Sequence, residues 1–242
     1  MKINAFTKKL RQVLPLRPCG AVIVAAGSAS RMGGIDKVMA QLKGEPMIAR
    51  TVRSFQQSEV IREIVIVTRQ DLVEPIRRLC AHMEKVKAVI VGGSSRQESV
   101  EAGLQAISGS IRLVAVHDGA RPLISQAVID RTVRAAHTYG AAVPAIPVKD
   151  TVKAVAGGLV TATPDRSMLR AVQTPQVFDL DLMKGALKKA REENAQVTDD
   201  SSAVERLGMG VKIVEGDEKN LKVTTPMDLK VAELLLEEKE CE

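Results

Sequence analysis

Short apolar runs alternate with amphipathic stretches along most of the chain. Ala21–Ala25 (AVIVA), Glu63–Val67 (EIVIV), Ala88–Gly93 (AVIVGG), Leu113–Asp118 (LVAVHD) and Ala141–Val148 (AAVPAIPV) are apolar at consecutive rather than alternate positions. That pattern predicts strands buried on both faces. Between them, helical spacing appears in Met47–Phe55 after Pro46, in Asp71–Met83, in Arg96–Ile107 and in the stretch from Ser125 to Tyr139. Val100, Leu104 and Ile107 share one face of the third, while Ser125 and Gly140 supply start and stop signals for the fourth. The βαβα order predicts an α/β fold: a mostly parallel, Rossmann-like twisted sheet flanked by helices. Pro144 and Pro147 place the fifth run nearer a sheet edge. In such sheets ligands bind beyond the carboxyl ends of the strands.

The rhythm stops at VKDTVKAVAGGLVTATPDR. Two Val-rich runs flank Gly157-Gly158, which predicts a protruding β-arm over residues 149–165. Beyond it come Val172–Phe178 (VQTPQVF), a helix from Asp181 to Glu193, a short helix from Ser201, a strand VKIVEG and a last helix. In that helix Thr225 is the expected N-cap, with Pro226 at N1 and Asp228 at N3. With no Pro/Gly/Ser-rich linker and no repeat, the expectation is a basic N-terminal extension (1–18) followed by a single domain (19–242) that includes the arm.

Composition narrows the function. The 242 residues are 45% hydrophobic but only 2% aromatic, so the core must be built from Ala, Val, Ile, Leu and Met. Scarce aromatics argue against single-stranded nucleic-acid binding, which relies on stacking platforms. A net charge of +6 suits an anionic partner, although much of it falls on helical surface. Cys19, Cys80 and Cys241 are odd in number and lack metal-type spacing, which fits a reducing, cytoplasmic setting. No apolar run reaches ~18 residues, so no membrane span is expected. The first 18 residues carry Lys2, Lys8, Lys9, Arg11 and Arg17 and no acid. Being poor in Ser and lacking an apolar segment, they read as a short helical extension rather than a transit peptide. His117 reads as a packed strand residue, His82 and His137 as surface helix residues, and Glu192-Glu193 and the terminal EEKE as solvated charge.

Three strand-end motifs carry candidate chemistry. The loop in AVIVAAGSASRMGGIDKVM matches neither the P-loop nor the dinucleotide fingerprint. Its small residues Ala26, Gly27, Ser28 and Ala29 let backbone N–H groups approach a phosphate, and Arg31 and Lys37 add charge. A triphosphate suits this arrangement; an ordinary turn with solvated cations is the alternative. In VGGSSRQESV, Gly92-Gly93 precede Arg96 and Ser99, and a left-handed turn opening a helix explains the glycines equally well. In VHDGARP, Asp118 and Arg121 suit ribose, metal or phosphate contacts, or a structural ion pair.

Joined in order to VKDTVK, PDR, QTPQVF, TDDSSAVE and NLKVTTPMDL, these motifs make the chain resemble the 2-C-methyl-D-erythritol 4-phosphate cytidylyltransferase family, from Gly20 to the last helix. One departure is Asp36-Lys37, where the family commonly has Pro-Lys. The resemblance implies that Ala25, Ala26 and Gly27 cradle CTP. Gly93 and Ser99, beside Arg96, would bind the base end of the nucleotide, and Asp118 would lie near the ribose and the phosphates. Arg31, Lys37, Arg166 and Lys222 would be catalytic. Arg121, Thr151, Arg166, Thr198 and Lys222 would hold the polyol phosphate. It further implies Mg²⁺ without dedicated ligands, Asp118 being the candidate, and a homodimer formed through the arm. Cytidylyltransferases for ribitol 5-phosphate, and relatives acting on a sugar phosphate or a pterin cofactor, are the neighbouring expectations. An inactive nucleotide-binding module would not need Arg31, Lys37, Arg166 and Lys222 together.

Overall fold

A computed structural model describes Thr7, Arg11 and residues 14–27 and 37–240. Strand β1 (Cys19–Ala25) lies at the centre of the sheet, parallel to β4 (Ile61–Thr68) on one side and to β6 (Leu113–Asp118) on the other. Beyond β4 runs β5 (Val86–Val91), also parallel. Beyond β6, β11 (Gln176–Asp179) is antiparallel, and β7 (Ala141–Pro147) follows it. The expected mostly parallel sheet is therefore present, with an antiparallel flank.

Consecutive burial along β1, β4 and β6 has its cause in the two layers of helices. Ala21, Ile23, Ile64 and Ile66 face α1 (Met47–Gln57), α2 (Val73–Leu79) and α4 (Gln126–Tyr139), packing with Phe55, Ile76 and Val133. Val22, Val65, Val67 and Val116 face α3 (Arg96–Ala106), α5 (Leu180–Glu192) and α6 (Asp200–Arg206), packing with Leu104, Met183 and Val204. A third, smaller core joins Leu42 of β2 (Gln41–Leu42), which pairs with β3 (Glu45–Pro46), to Ala120, Val223, Ala232 and Leu236. It fastens the last helix, α7 (Pro226–Glu240), to the ligand end of the sheet. Thr225 caps α7 as expected: its Oγ1 accepts from Asp228 N–H at 3.2 Å, and the Asp228 carboxylate accepts from Thr225 N–H at 2.8 Å.

Strand β7 lies one place in from the sheet edge, as its prolines suggested, while other expectations are corrected. The Pro144 carbonyl accepts from Gln173 on one side and the Ala145 carbonyl from Gly216 on the other, so β10 (Arg170–Val172) and β12 (Lys212–Glu215) both pair with it. Pro144 lies opposite Gln173, just past the end of β10. Val172–Phe178 is split between β10 and β11, with a cis Thr174–Pro175 peptide between them. Ser125 occupies the N-cap of α4 without a side-chain cap bond. Helix α2 is shorter than its pattern suggested, being preceded by a 3-10 turn at Gln70–Leu72, and His82 lies exposed in the turn after it.

His137 is buried rather than on the surface, because the segment before β1 packs over it. Its Nε2 donates to the Arg11 carbonyl at 2.6 Å and its Nδ1 accepts from Arg17 Nε at 3.3 Å. Arg17 also bonds the Ala136 and His137 carbonyls at the end of α4 and Asp179 at 2.6 Å. Part of the basic extension is thus built into the sheet end.

The hairpin of β8 (Ala154–Ala156) and β9 (Leu159–Ala162) forms at Gly157-Gly158, whose φ values of 57° and 80° suit the tight turn. Residues 149–168 are exposed throughout. Among the described residues no helix is long and apolar enough to cross a membrane.

Gly103 lets α3 lie directly on β1 and β4; a Cβ there would fall 2.4 Å from Val22 Cγ1 and 3.0 Å from Val67 Cγ2. Gly103→Ala is expected to lower unfolding free energy by about 1–3 kcal/mol despite alanine's better helix propensity. Urea unfolding checks this, and a stabilised variant would contradict the close packing.

Candidate active site

Strands β1, β5 and β6 end together, and beyond them opens a cavity of about 370 Å³. Ala25, Ala26 and Gly27 line it from β1, Gly93–Arg96 and Ser99 from the β5–α3 junction, and Asp118 and Ala120 from β6. Lys37 closes one wall and Lys222 another. The predicted Arg31 and the neighbouring Asp36, Ser28 and Ala29 lie outside the described residues.

The β5–α3 junction is fixed by its own side chains. Ser95 caps α3 by accepting from Glu98 N–H at 3.1 Å, and Glu98 Oε2 accepts from Ser94 N–H and Oγ–H, both at 2.7 Å. Ser99 is buried and donates to the Ser95 carbonyl at 2.9 Å. Gly92 and Gly93 are not left-handed; close approach is what requires them. A Cβ on Gly92 would lie 2.5 Å from Ser99 Oγ, and one on Gly93 2.2 Å from Glu98 Cβ. The N-terminus of α3 therefore faces the cavity with backbone donors and a positive dipole end, a ready anion site.

One carboxylate organises the charge. Asp118, only 8% exposed, has Lys222 Nζ at 2.8 Å, Arg96 Nη2 at 3.4 Å and Arg121 Nε at 3.6 Å. Burial alone would raise its carboxyl, but Arg96, Lys222 and Arg121 override this and hold it well below the usual carboxylate range. Arg96 is also bidentate to Asp200, at 2.8 and 2.7 Å, the strong fork geometry of guanidinium and carboxylate. Burial works against the Arg96 charge, yet these two carboxylates hold it firmly protonated. Burial pushes the Asp200 carboxyl up, and Arg96 opposes that shift.

Beneath Asp118 the proton positions are determined by the partners. His117 is fully buried, with its ring against Phe55, the centroids 4.8 Å apart. Its Nε2 faces the Arg121 carbonyl at 3.2 Å, which can only accept, so Nε2 carries the proton. Nδ1 accepts from Thr174 Oγ1 at 3.0 Å, and Thr174 Oγ1 in turn accepts from Asp118 N–H at 3.2 Å. Burial pushes the His117 imidazole down to about 4, and it stays neutral.

The structure thus brings Ala25, Ala26, Gly27, Lys37, Gly93, Arg96, Ser99, Asp118 and Lys222 around one cavity, with Arg121 behind Asp118. Thr151, Arg166 and Thr198 do not line it in the single chain. Arg166 bonds the Lys149 carbonyl at 2.7 Å at the base of the arm, and Thr198 is exposed just before Asp199, the N-cap of α6. Sequence reasoning missed Asp200 and Thr174 as members of the site's support, although both stand inside quoted motifs. The doubled acid of TDD was the signal: Asp199 caps a helix and leaves Asp200 for Arg96. Among the described residues no group of three or more His, Cys, Asp or Glu side chains is placed to hold a metal.

The family model described as IspD, 2-C-methyl-D-erythritol 4-phosphate cytidylyltransferase, matches residues 19–238. A protein of that name from Symbiobacterium thermophilum is 49% identical over 223 residues, covering 91% of this chain and 94% of its own length. One from Geobacillus kaustophilus is 45% identical, with 89% and 96% covered. The crystal structure of 4-diphosphocytidyl-2C-methyl-D-erythritol synthase from Anaerococcus prevotii superposes with a TM-score of 0.83 at 31% identity, covering 91% of this chain and 96% of that one. The Thermus thermophilus 2-C-methyl-D-erythritol 4-phosphate cytidylyltransferase structure gives 0.75 at 33% identity, with 89% and 98% covered.

The neutral His117 has a consequence for stability. Its folded pKa of about 4 lies below the ordinary 6.5, so as pH falls through this window the unfolded chain binds a proton that the folded chain refuses. Stability should fall by roughly 2–3 kcal/mol between pH 7 and 4.5 on this account, with the lowered His137 acting in the same direction. Asp118 adds its own loss only at still lower pH. Urea unfolding at the two pH values should show a smaller loss in His117→Gln; an equal loss would remove His117 from the explanation.

Proposed function

The chain belongs to the 2-C-methyl-D-erythritol 4-phosphate cytidylyltransferase family, and we propose from that premise how its residues carry the reaction. It is a nucleotidyltransferase that moves CMP from CTP to 2-C-methyl-D-erythritol 4-phosphate, in non-mevalonate isoprenoid biosynthesis. A phosphate oxygen of the polyol attacks the α-phosphorus of CTP, the bond from that phosphorus to the bridging oxygen breaks, and pyrophosphate leaves. The attacking oxygen is already anionic at neutral pH, so no general base is required. This agrees with a cavity whose one histidine neighbour, His117, is buried and committed to structural bonds.

The observation that carries the reading is the cluster of Lys222, Arg96 and Arg121 around Asp118 at the strand ends, facing the N-terminus of α3. Two polyanions must meet there, and charge grows on the α-phosphate. Cations held in place beforehand answer both needs without reorganising. Ala25, Ala26 and Gly27 give the triphosphate close access to backbone, and Gly93 and Ser99 bound the base end of the cavity. Lys37, on the cavity wall, acts on the phosphates together with Arg31, the role the family resemblance implies for it, while Arg121, Thr198 and Lys222 hold the polyol phosphate. Asp118 is the only carboxylate among the described residues lining the cavity. A Mg²⁺ ion would take Asp118 as its one protein ligand in exchange for a cation that now pairs with it, with its other ligands from the phosphates and water, and would neutralise phosphate charge.

Thr151 and Arg166 enter through a homodimer. Val155, Leu159 and Val160 on the arm are 57%, 75% and 60% exposed, and packing each arm on the other subunit covers them and brings the arm's base to the neighbouring cavity. The chain works in the cytoplasm, where the buried Cys19 and Cys80 thiols stay reduced. Burial raises both thiols, Cys80 to about 11.

Pyrophosphate release measured across a panel of nucleoside triphosphates and polyol phosphates should be fastest for CTP with the methylerythritol phosphate. Preference for ribitol 5-phosphate, or for another triphosphate, would overturn the assignment. Arg31→Ala and Lys222→Ala should each lower kcat by about 10²–10³-fold in a folded protein; a change within a few-fold would remove the assigned role. For the shared site, Arg166→Ala and Lys222→Ala proteins, each nearly inactive alone, should regain activity when mixed and allowed to exchange subunits. One site of the heterodimer then carries both defects and the other carries neither. No recovery after verified exchange would place the two residues in the same chain's site.

A further inference from the structure

Gln173 and Asn220 are buried polar residues that line no part of the cavity, at 5% and 0% exposure. Gln173 Nε2 donates to the Asp217 carbonyl at 2.8 Å, and its Oε1 accepts from Asp217 N–H at 3.1 Å. The side chain thereby pairs with both backbone groups of one residue, as a neighbouring strand would. Asn220 N–H closes the turn onto the Asp217 carbonyl at 2.9 Å. Asn220 Nδ2 donates to the Thr174 carbonyl at 2.8 Å, and the Asn220 carbonyl accepts from Arg121 Nη1 at 2.7 Å. Gly216 leaves room for the amide: a Cβ there would lie 2.6 Å from Gln173 Oε1. Two residues past this turn Lys222 reaches Asp118, and Val223 N–H bonds the Ala120 carbonyl at 2.9 Å.

We propose, resting on the cytidylyltransferase reading above, that Gln173 is a positioning residue for the reaction: its amide fixes the Asp217–Asn220 turn and so holds Lys222 against Asp118. The bond pattern demands an amide. Glutamate has the same shape but, when ionised, no donor for the Asp217 carbonyl, and would set two oxygens against each other. Asn220 completes the link, because it ties the same turn to Thr174 and Arg121, the residues that flank Asp118 from below. Gln176, three positions on, provides an internal control. Its Nε2 donates to Asp199 Oδ2 at 2.7 Å and its Oε1 accepts from Ser201 N–H at 2.9 Å, so it serves the start of α6 and not the Lys222 turn.

The test compares Gln173→Glu, Gln176→Glu and Lys222→Ala, and the combination of the first and third. Lys222 is 41% exposed at its side chain, so its acylation by an N-hydroxysuccinimide ester can be timed by peptide mass spectrometry. Gln173→Glu should label Lys222 at least about fivefold faster, and Gln176→Glu within about twofold of wild type, since only the first loosens the pairing with Asp118. Gln173→Glu should lower kcat by about 10–100-fold, yet by less than about threefold in the Lys222→Ala background, because the two residues act as a unit. Asn220→Asp, expected to behave alike, replaces Gln173→Glu should that variant not fold. Unchanged Lys222 labelling, or losses that simply multiply in the double variant, would overturn the proposal. Labelling needs no turnover, so a wild-type chain without cytidylyl transfer would sink the functional reading while labelling still decides the role of Gln173.

Discussion

The Asp118 carboxylate is the point on which the site turns. It is buried at the end of a strand, where an unpaired charge could not persist, and its partners come from three separate segments: Arg96 opens α3, Arg121 follows β6, and Lys222 precedes the last helix. Such a cluster contributes little net stability, because desolvating four charged groups offsets their attraction. What it supplies is geometry. Each cation is drawn to the same two oxygens, so their mutual arrangement exists before any phosphate arrives. On the proposed reading an incoming polyphosphate meets cations that are already held in place.

That arrangement depends in turn on apolar packing away from the charges. Lys222 lies on a segment with no strand of its own in the central sheet. Val223, Ala232 and Leu236 bury against Leu42, Ala120 and Leu123, and this small core brings the segment to the strand ends. The hydrogen bonds of Gln173 and Asn220 then fix its register. The division of labour is physical: apolar burial supplies free energy without direction, and the buried amides supply direction with little net free energy.

Most of the sheet and the cavity wall was legible in the sequence. Consecutive Val and Ile runs specify strands covered on both faces, and glycine-rich strand ends followed by cations mark the ligand side. What escaped was whatever depends on which segments meet. Pro144 rightly placed its strand near the edge, but nothing local shows that β10 and β12 are the strands that cover it. His137 reads as a surface residue on its own helix, and only the chain before β1 buries it. Gly92 and Gly93 looked like turn glycines, while their real constraint is contact with Ser99 and Glu98. Asp200 and Gln173 were inside recognised motifs, yet their partners, Arg96 and Asp217, lie far away in sequence.

The arm shows the same limit in its strongest form. Gly157-Gly158 between Val-rich runs is enough to specify a hairpin, because turn geometry is local. Its destination is not local. A two-stranded hairpin is marginal in water by itself, and this one leaves Leu159 and Val160 largely exposed although few charges break its edges. Residues 149–168 gain nothing from the core of their own chain, since all of them are exposed to solvent. Thr151 and Arg166 stand at the two bases of this hairpin, apart from the cavity that the other site residues surround. In the proposed homodimer one second surface, that of an identical subunit, would meet both demands: it would cover the apolar face and give these two polar residues a phosphate to hold. On that reading the apolar area that an isolated arm exposes is what joins the arm to the site it completes.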